Sequence, residues 1–182
     1  KIRLRTYGRA QDDSEAFIEL KKKLKDGTFT IDFCDDSLHT NGNLSICGGT
    51  YTLSTGDDGM HADGADQVYG GEITIKTCYE GIKGQNMEIS GGTIDITASD
   101  DGNGALDYNG TATITGGTLV AAGMSGMEQN FGSDSTQGTL MMNLTDNAIT
   151  SVANALGWSD YATMTGAYKE LTLAADLNST NL

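Results

Sequence analysis

The chain has 182 residues, enough for one domain with a continuous core, or one domain and a small appendage. Its formal net charge of -14 argues against nucleic acid or an anionic membrane as a direct partner, so a polyanion would need bridging cations. Gly is frequent at 25 residues, Pro is absent, and no apolar run is long enough to span a membrane.

The chain opens on Lys1-Ile2-Arg3-Leu4-Arg5 with no visible signal peptide, as a mature or trimmed product would. Residues 1–26 are expected to be an N-terminal irregular coil or cap. Within them Ser14 to Lys25 has two readings. As a helix it would be capped at Asp13 or Ser14 and carry Phe17, Leu20 and Leu24 on one face. As a strand it alternates Ala16, Ile18, Leu20 and Leu24. The strand reading is preferred, because Asp12-Asp13-Ser14 precedes Asp35-Asp36-Ser37 by 23 residues and so continues the repeat that follows.

Residues 27–137 carry two interleaved words. Asp35-Asp36-Ser37, Asp57-Asp58-Gly59, Tyr79-Glu80-Gly81 and Asp100-Asp101-Gly102 follow one another at steps of 22, 22 and 21 residues. Gly48-Gly49, Gly70-Gly71, Gly91-Gly92 and Gly116-Gly117 follow at 22, 21 and 25. Two markers with one period imply a stacked repeat, and a period near 22 suits one turn of a wide parallel β-solenoid. Alternating apolar residues supply its core: Phe29 and Ile31, Tyr51 and Leu53, Ile73 and Ile75, Ile94 and Ile96, Leu119 and Ala121. Before the corners lie Leu44 and Ile46, Met87 and Ile89, Ala112 and Ile114, and after the acidic words come Leu38, Met60 and Ile82. Thr30, Thr52, Thr74 and Asp95 fall between core positions and should face water. Asp66-Gln67-Val68-Tyr69 breaks the apolar alternation, which predicts an irregular strand. The step of 25 predicts a bulge within Asn103 to Gly110.

Cys34 and Cys78 occupy one coil position two turns apart, roughly 10 Å by strand spacing and too far for a disulfide. With Cys47 they are expected to be small buried hydrophobes. Residues 138–182 lose the period. Leu140, Met142 and Leu144, then Leu171 and Leu173, suggest antiparallel strands that close the far end, with Trp158 and Tyr161 in its core.

Stacking puts equivalent acids about 4.8 Å apart, where like charges repel by roughly 3 to 4 kcal/mol per pair at an effective dielectric near 20. A cation is therefore expected along the column Asp35, Asp36, Asp57, Asp58, Glu80, Asp100 and Asp101. Hard oxygen donors with no clustered Cys/His set point to Ca²⁺. Asp-Gly turn chemistry would explain one such word, but not a doubled acid at the same phase of several coils. Asp63, Asp107 and Asn109 are candidates for an adjacent site.

Several stretches also resemble a known family: Gly27-Thr28-Phe29-Thr30-Ile31, Asp35-Asp36-Ser37-Leu38-His39, Leu53 to Asp63, Tyr79-Glu80-Gly81-Ile82, Ala98 to Gly102, Asn103 to Gly110 and Gly116 to Gly123. The family is one of bacterial carbohydrate-binding β-helix proteins, and it includes a cellulose- and polygalacturonate-binding cell-surface protein. The resemblance implies an all-β, right-handed parallel β-helix (a single-stranded β-solenoid, pectate-lyase-like in shape) with bound Ca²⁺. It also implies an extracellular or cell-surface location. In relatives further coils separate the Asp100-Asp101-Gly102 and Asn103-Gly104-Ala105 words, which abut here. The expected C-terminal element is a small antiparallel β cap.

Three functions are consistent with this reading. The first is a secreted, calcium-stabilised module that binds cellulose, polygalacturonate or another acidic polysaccharide. The second is an adhesive or filament-forming surface protein whose subunits associate through solenoid ends. The third is a polysaccharide lyase. His39, His61 and Lys83 share one coil position. Lys83 is the weak catalytic candidate for proton abstraction, against the preferred reading of a solvated cation answering the acidic edge. His61, Lys83, Tyr79 and Tyr108 are candidate ligand-binding residues, with Tyr69 a further corner aromatic. For each tyrosine, corner packing is the competing role.

Overall fold

The computed structural model describes residues 2–5, 17–20, 27–32, 35–99, 104–124, 127–143 and 170–174. All its elements are strands: β1 (Ile2–Arg5), β2 (Phe17–Leu20), β3 (Thr28–Asp32), β4 (Leu38–Thr40), β5 (Leu44–Ser54), β6 (Met60–Thr77), β7 (Ile82–Thr97), β8 (Leu106–Tyr108), β9 (Ala112–Gly123), β10 (Thr139–Asn143) and β11 (Glu170–Ala174). Strands β3, β5, β6, β7 and β9 pair in parallel in chain order, and β4 and β8 pair in parallel with β6 and β7. The result is a parallel β-solenoid of about four turns.

Core columns follow from the repeat. Leu38, Met60, Ile82 and Leu106 stack in register, as do Ile46, Val68, Ile89 and Ile114, and Leu53, Ile75, Ile96 and Ala121. Most of these side chains are fully buried, and each buried Ile or Leu contributes about 2 kcal/mol relative to exposure. Phe29 and Tyr51 stack face to face with centroids 4.9 Å apart, carrying the apolar column toward the N-terminal coil. The Thr30, Thr52, Thr74 and Asp95 column is less solvated than expected: only Thr30 is fully exposed, and the others are half-buried.

The Gly-Gly corners lie inside long strands and bend them. Gly49, Gly71, Gly92 and Gly117 all have φ between 89° and 110°, a region costly for any residue with a Cβ. A Cβ on Gly92 would also stand 2.9 Å from the Gly71 carbonyl oxygen of the coil below. Stacking one such corner on the next therefore requires glycine at each level.

Of three local expectations, two are met in part and one is corrected. Asp66-Gln67-Val68-Tyr69 lies in the continuous strand β6, with Asp66 paired between Leu44 and Met87. The strand is continuous but irregular, as expected: its pairing with β5 skips Tyr69 between Val68 and Gly70, and its pairing with β7 shifts between Ala62 and Ala65. The extra residues of the long coil fall in two places, before Leu106 and again between Tyr108 and Ala112, where the pairing with β7 moves from Gly84–Tyr108 to Met87–Ala112, in agreement with an irregularity in this stretch. Ile96 to Leu106 is three residues longer than Ile75 to Ile82, while β8 pairs with β7 without a bulge. Cys78 is buried but Cys47 is exposed, because Cys47 stands on the outer side of the strand next to buried Ile46. Cys34 lies outside the described residues.

At the N-terminus β1 and β2 pair antiparallel as a separate two-stranded sheet, so Phe17–Leu20 is strand and not helix, though not a turn of the parallel ladder. At the other end β11 joins β9 antiparallel and β10 joins β11, with Leu140 opposite Leu173 and Met142 opposite Leu171. This pairing covers the outer edge of β9, as the loss of period from residue 138 predicts. Trp158 and Tyr161 lie outside the described residues.

Candidate functional site

The outward positions of β4, β6, β7 and β8 form one column: His39, His61, Lys83 and Asp107. Three residues earlier in each coil stand Asp36, Asp58 and Glu80. The first three coils thus share an acid-x-x-base word, and the spacing brings each base back onto its own acid. For His61 and Lys83, stacking brings the base onto the acid of the preceding coil as well. His61 Nδ1 is 3.4 Å from Asp58 Oδ2 and 3.0 Å from Asp36 Oδ2. Lys83 Nζ is 2.6 Å from Glu80 Oε2 and 3.2 Å from Asp58 Oδ2. His39 Nδ1 is 2.8 Å from Asp36 Oδ2. The stacked acids thus already meet one cation, Lys83, and two imidazoles supplied by the chain itself.

Burial makes this zipper strong. Asp58 is 1% exposed and Glu80 is fully buried. Desolvation drives the Asp58 carboxyl up to about 7, against the lowering effect of Lys83 and with further upward pressure from Glu80. Burial alone would lower the Lys83 ammonium. The Glu80 hydrogen bond and the Asp58 and Glu80 charges outweigh it and hold Lys83 above its ordinary range. A general base must be able to lose its proton near working pH, so this environment runs against the catalytic role considered for Lys83. The same anions and desolvation push the buried Cys78 thiol up to about 12.

The column ends in a reversal. The Ile82 amide bonds to the Ala105 carbonyl, which places Gly104 above Glu80, and Asp107 takes the position of the bases. Burial raises the Asp107 carboxyl, followed by the charge of Glu80. Asp100 and Asp101, expected as the fourth acidic level, belong to the longer segment before Leu106 and lie outside the described residues.

Asp35 and Asp57 stand apart from the bases. Together with Asp36 each can present a carboxylate oxygen within 4.8 Å of the other two. Asp35 is exposed and Asp57 half-buried, and Thr55 ties this corner together. Its hydroxyl donates to the Asp35 carbonyl and accepts from the Asp57 amide. Gly59 and Gly81 make room for the corner. A Cβ on Gly59 would stand 2.8 Å from Ile75 Cγ2, and one on Gly81 2.4 Å from Ile96 Cγ2. Neither glycine has positive φ; what excludes a side chain is the close approach of the next coil's backbone, with the Gly81 carbonyl 2.7 Å and the Ala105 carbonyl 2.4 Å from the two Cβ positions, together with these isoleucines.

Asp63 is exposed, accepts a hydrogen bond from Asn41 Nδ2 at 3.2 Å, and is 4.0 Å from His61 Nε2. Beside it runs a second polar ladder, Ser45 to Gln67 to Glu88, linked by hydrogen bonds of 2.9 Å. Tyr108 packs against the core, and its hydroxyl donates to the Asn130 carbonyl at 2.5 Å, as corner packing requires. Tyr79 is half-buried, and Tyr69 is 49% exposed.

The sequence reading missed the pairing of Asp36, His39 and His61 as one cluster. Its signal was present: His39 and His61 are one period apart, and Asp36 precedes His39 by three. Compared with protein-family models, curated proteins and solved structures, the chain gives no match.

Proposed function

We propose that the chain is an extracellular, calcium-stabilised carbohydrate-binding module for an acidic or plant-type polysaccharide such as polygalacturonate or cellulose. The observation that carries this reading is the convergence of Asp35, Asp36 and Asp57 at one solvent-facing corner, beside ladders of polar side chains repeated at strand spacing. Three carboxylates are hard donors suited to Ca²⁺, which completes its six to eight ligands with carbonyls and water. Asp58 and Glu80 fit calcium less well, because Lys83 already stands between them. The calcium set is therefore narrowed to Asp35, Asp36 and Asp57.

A polymer lying along the solenoid would meet a polar side chain at each successive turn: Asn41 and Asp63 in one row, Ser45, Gln67 and Glu88 in another. Sugar hydroxyls both donate and accept, so side-chain amides and carboxylates suit them. The resemblance to carbohydrate-binding β-helices points the same way. Pull-down on polygalacturonate and on cellulose, each with calcium and with EDTA, tests the reading. Binding to polygalacturonate lost in EDTA with cellulose binding kept would mean that calcium bridges the acidic sugar. Equal retention in EDTA would assign calcium a scaffold role, and no retention on either polymer would reject the proposal.

A further inference from the structure

We infer that Asp36, His39 and His61 form a binding site for a divalent ion of borderline softness, of which zinc is the representative. The site shares Asp36 with the calcium corner but replaces Asp35 and Asp57 by two imidazoles, so it does not depend on that corner binding calcium. His39 Nδ1 and His61 Nδ1 approach the same oxygen, Asp36 Oδ2, at 2.8 and 3.0 Å. The two rings are stacked, with centroids 4.7 Å apart and planes 23° from parallel, so both nitrogens point to one place. One donor atom from each of the three residues lies within 4.8 Å of the other two. Two imidazole nitrogens and one carboxylate oxygen form a donor set suited to zinc, with a further position left for water or another side chain.

A buried acid with an unpartnered oxygen stands beside this cluster. Asp58 is 1% exposed, its Oδ2 lies 3.4 Å from His61 Nδ1, and its Oδ1 is buried without a hydrogen-bond partner. Lys83 answers Oδ2 but not Oδ1. A buried carboxylate oxygen left in this condition is costly, and a divalent ion held beside it would relieve that cost. Access is open from solvent, since the His39 side chain is 45% exposed and that of His61 23%. The solenoid supplies the arrangement without special loops. One step of three residues joins Asp36 to His39, and one ladder pairing joins His39 to His61.

The test uses the full chain, stripped of metal by chelation and kept free of calcium during the zinc titrations, because calcium at the neighbouring corner would compete for Asp36. Isothermal titration with zinc chloride should give one tight site. His39→Gln and His61→Gln should each weaken it by about tenfold or more, and the double variant should abolish it. Asp35→Asn with Asp57→Asn should leave zinc affinity unchanged while lowering calcium affinity, so failure of the calcium reading and failure of this one are separable. The chain contains only two histidines, so a second measurement needs no variant. Zinc should protect both imidazoles of the unmodified protein from carbethoxylation, where calcium does not. Absence of a zinc site, undiminished affinity in the double variant, or histidines that react equally with and without zinc would overturn the inference.

Discussion

The carboxylate of Asp66 fills the space that a side chain on Gly84 would need: a Cβ built on Gly84 stands 2.6 Å from Asp66 Oδ2. The two residues belong to neighbouring coils, and the missing Cβ is what allows an acid to occupy a core column between Leu44 and Met87. Asp66 is fully buried, and no donor meets its oxygens at good hydrogen-bond geometry, the Ala62 backbone being only a weak partner. Burial drives its carboxyl up to about 8, opposed in part by the Ala62 backbone. Because the folded value lies above the unfolded one, the folded chain holds a proton that the unfolded chain releases above about pH 4. Stability contributed by this group is therefore greatest below pH 4 and is lost progressively as pH rises to about 8. Asp66→Asn removes the titration, so its melting temperature should exceed that of the parent at pH 8.5 by several degrees and converge with it near pH 4. An identical pH slope in the two proteins would assign the dependence to another group.

The same juxtaposition predicts strong coupling. Gly84→Ala alone should destabilise the fold by about 1 to 3 kcal/mol through collision with Asp66. Combined with Asp66→Ala, the same change should cost clearly less, because the flexible partner in the collision is gone. Chemical denaturation of the four proteins of the cycle measures the coupling, and additivity would show that the nearby Asn86 carbonyl, 3.1 Å from the same point, dominates.

Corner glycines should differ sharply from loop glycines. Gly92 combines a φ of 93° with a backbone carbonyl 2.9 Å from where its Cβ would lie, whereas the nearest atom to a Cβ on Gly42 is 4.0 Å away. Gly92→Ala is expected to cost about 2 kcal/mol or more, and Gly42→Ala close to nothing. Equal urea midpoints for the two variants would contradict the role given to the corner.

Most of this fold was legible because a solenoid repeats one local decision. The spacing of Gly48-Gly49, Gly70-Gly71, Gly91-Gly92 and Gly116-Gly117 set the turn length, and the alternation of Ile73 with Ile75 and Ile94 with Ile96 set which face is buried. The break in apolar alternation at Asp66-Gln67-Val68-Tyr69 was legible as irregularity, and the pairing does skip Tyr69, but that Asp66 keeps a core position between Leu44 and Met87 depends on the room Gly84 leaves for it. The acidic column was legible as charge. The partners of that column were only half visible, since Lys83 could be read as answering the acids but the reach of His61 and Lys83 to the acids of two successive coils depends on register. Asp101 looked like a fourth level because it keeps the period in sequence, yet the Ala105 carbonyl pairs with Ile82 and shifts the stack by three residues.

Lys83 carries the next prediction. Its ammonium touches two buried carboxylates, so Lys83→Met leaves Asp58 and Glu80 without that cation in a poorly solvated site. Breaking a buried pair from one side typically costs about 3 to 5 kcal/mol, and the 34% exposure of Lys83 places this case at or below the lower end. Urea denaturation should show the loss. If Lys83 instead served as the base of a lyase, the variant would lose formation of unsaturated uronate from polygalacturonate while its midpoint stayed near that of the parent.

Calcium should act on stability through the corner of Asp35, Asp36 and Asp57 and not through the Lys83 zipper. An ion bound only by the folded chain adds RT ln(1 + [Ca]/Kd), about 2.7 kcal/mol at a hundredfold excess over Kd. The melting temperature of the parent should therefore climb with calcium and fall on chelation. Asp35→Asn with Asp57→Asn should flatten that response, since it removes two of the three hard donors and leaves Asp36 to the histidines. Neutralising those acids also removes repulsion between stacked charges, so the variant should melt at or above the parent when both are held in EDTA and below it in saturating calcium. A crossover of the two melting curves is the signature of a metal-linked corner. Parallel curves would mean that Asp35 and Asp57 are solvated acids with no ion between them.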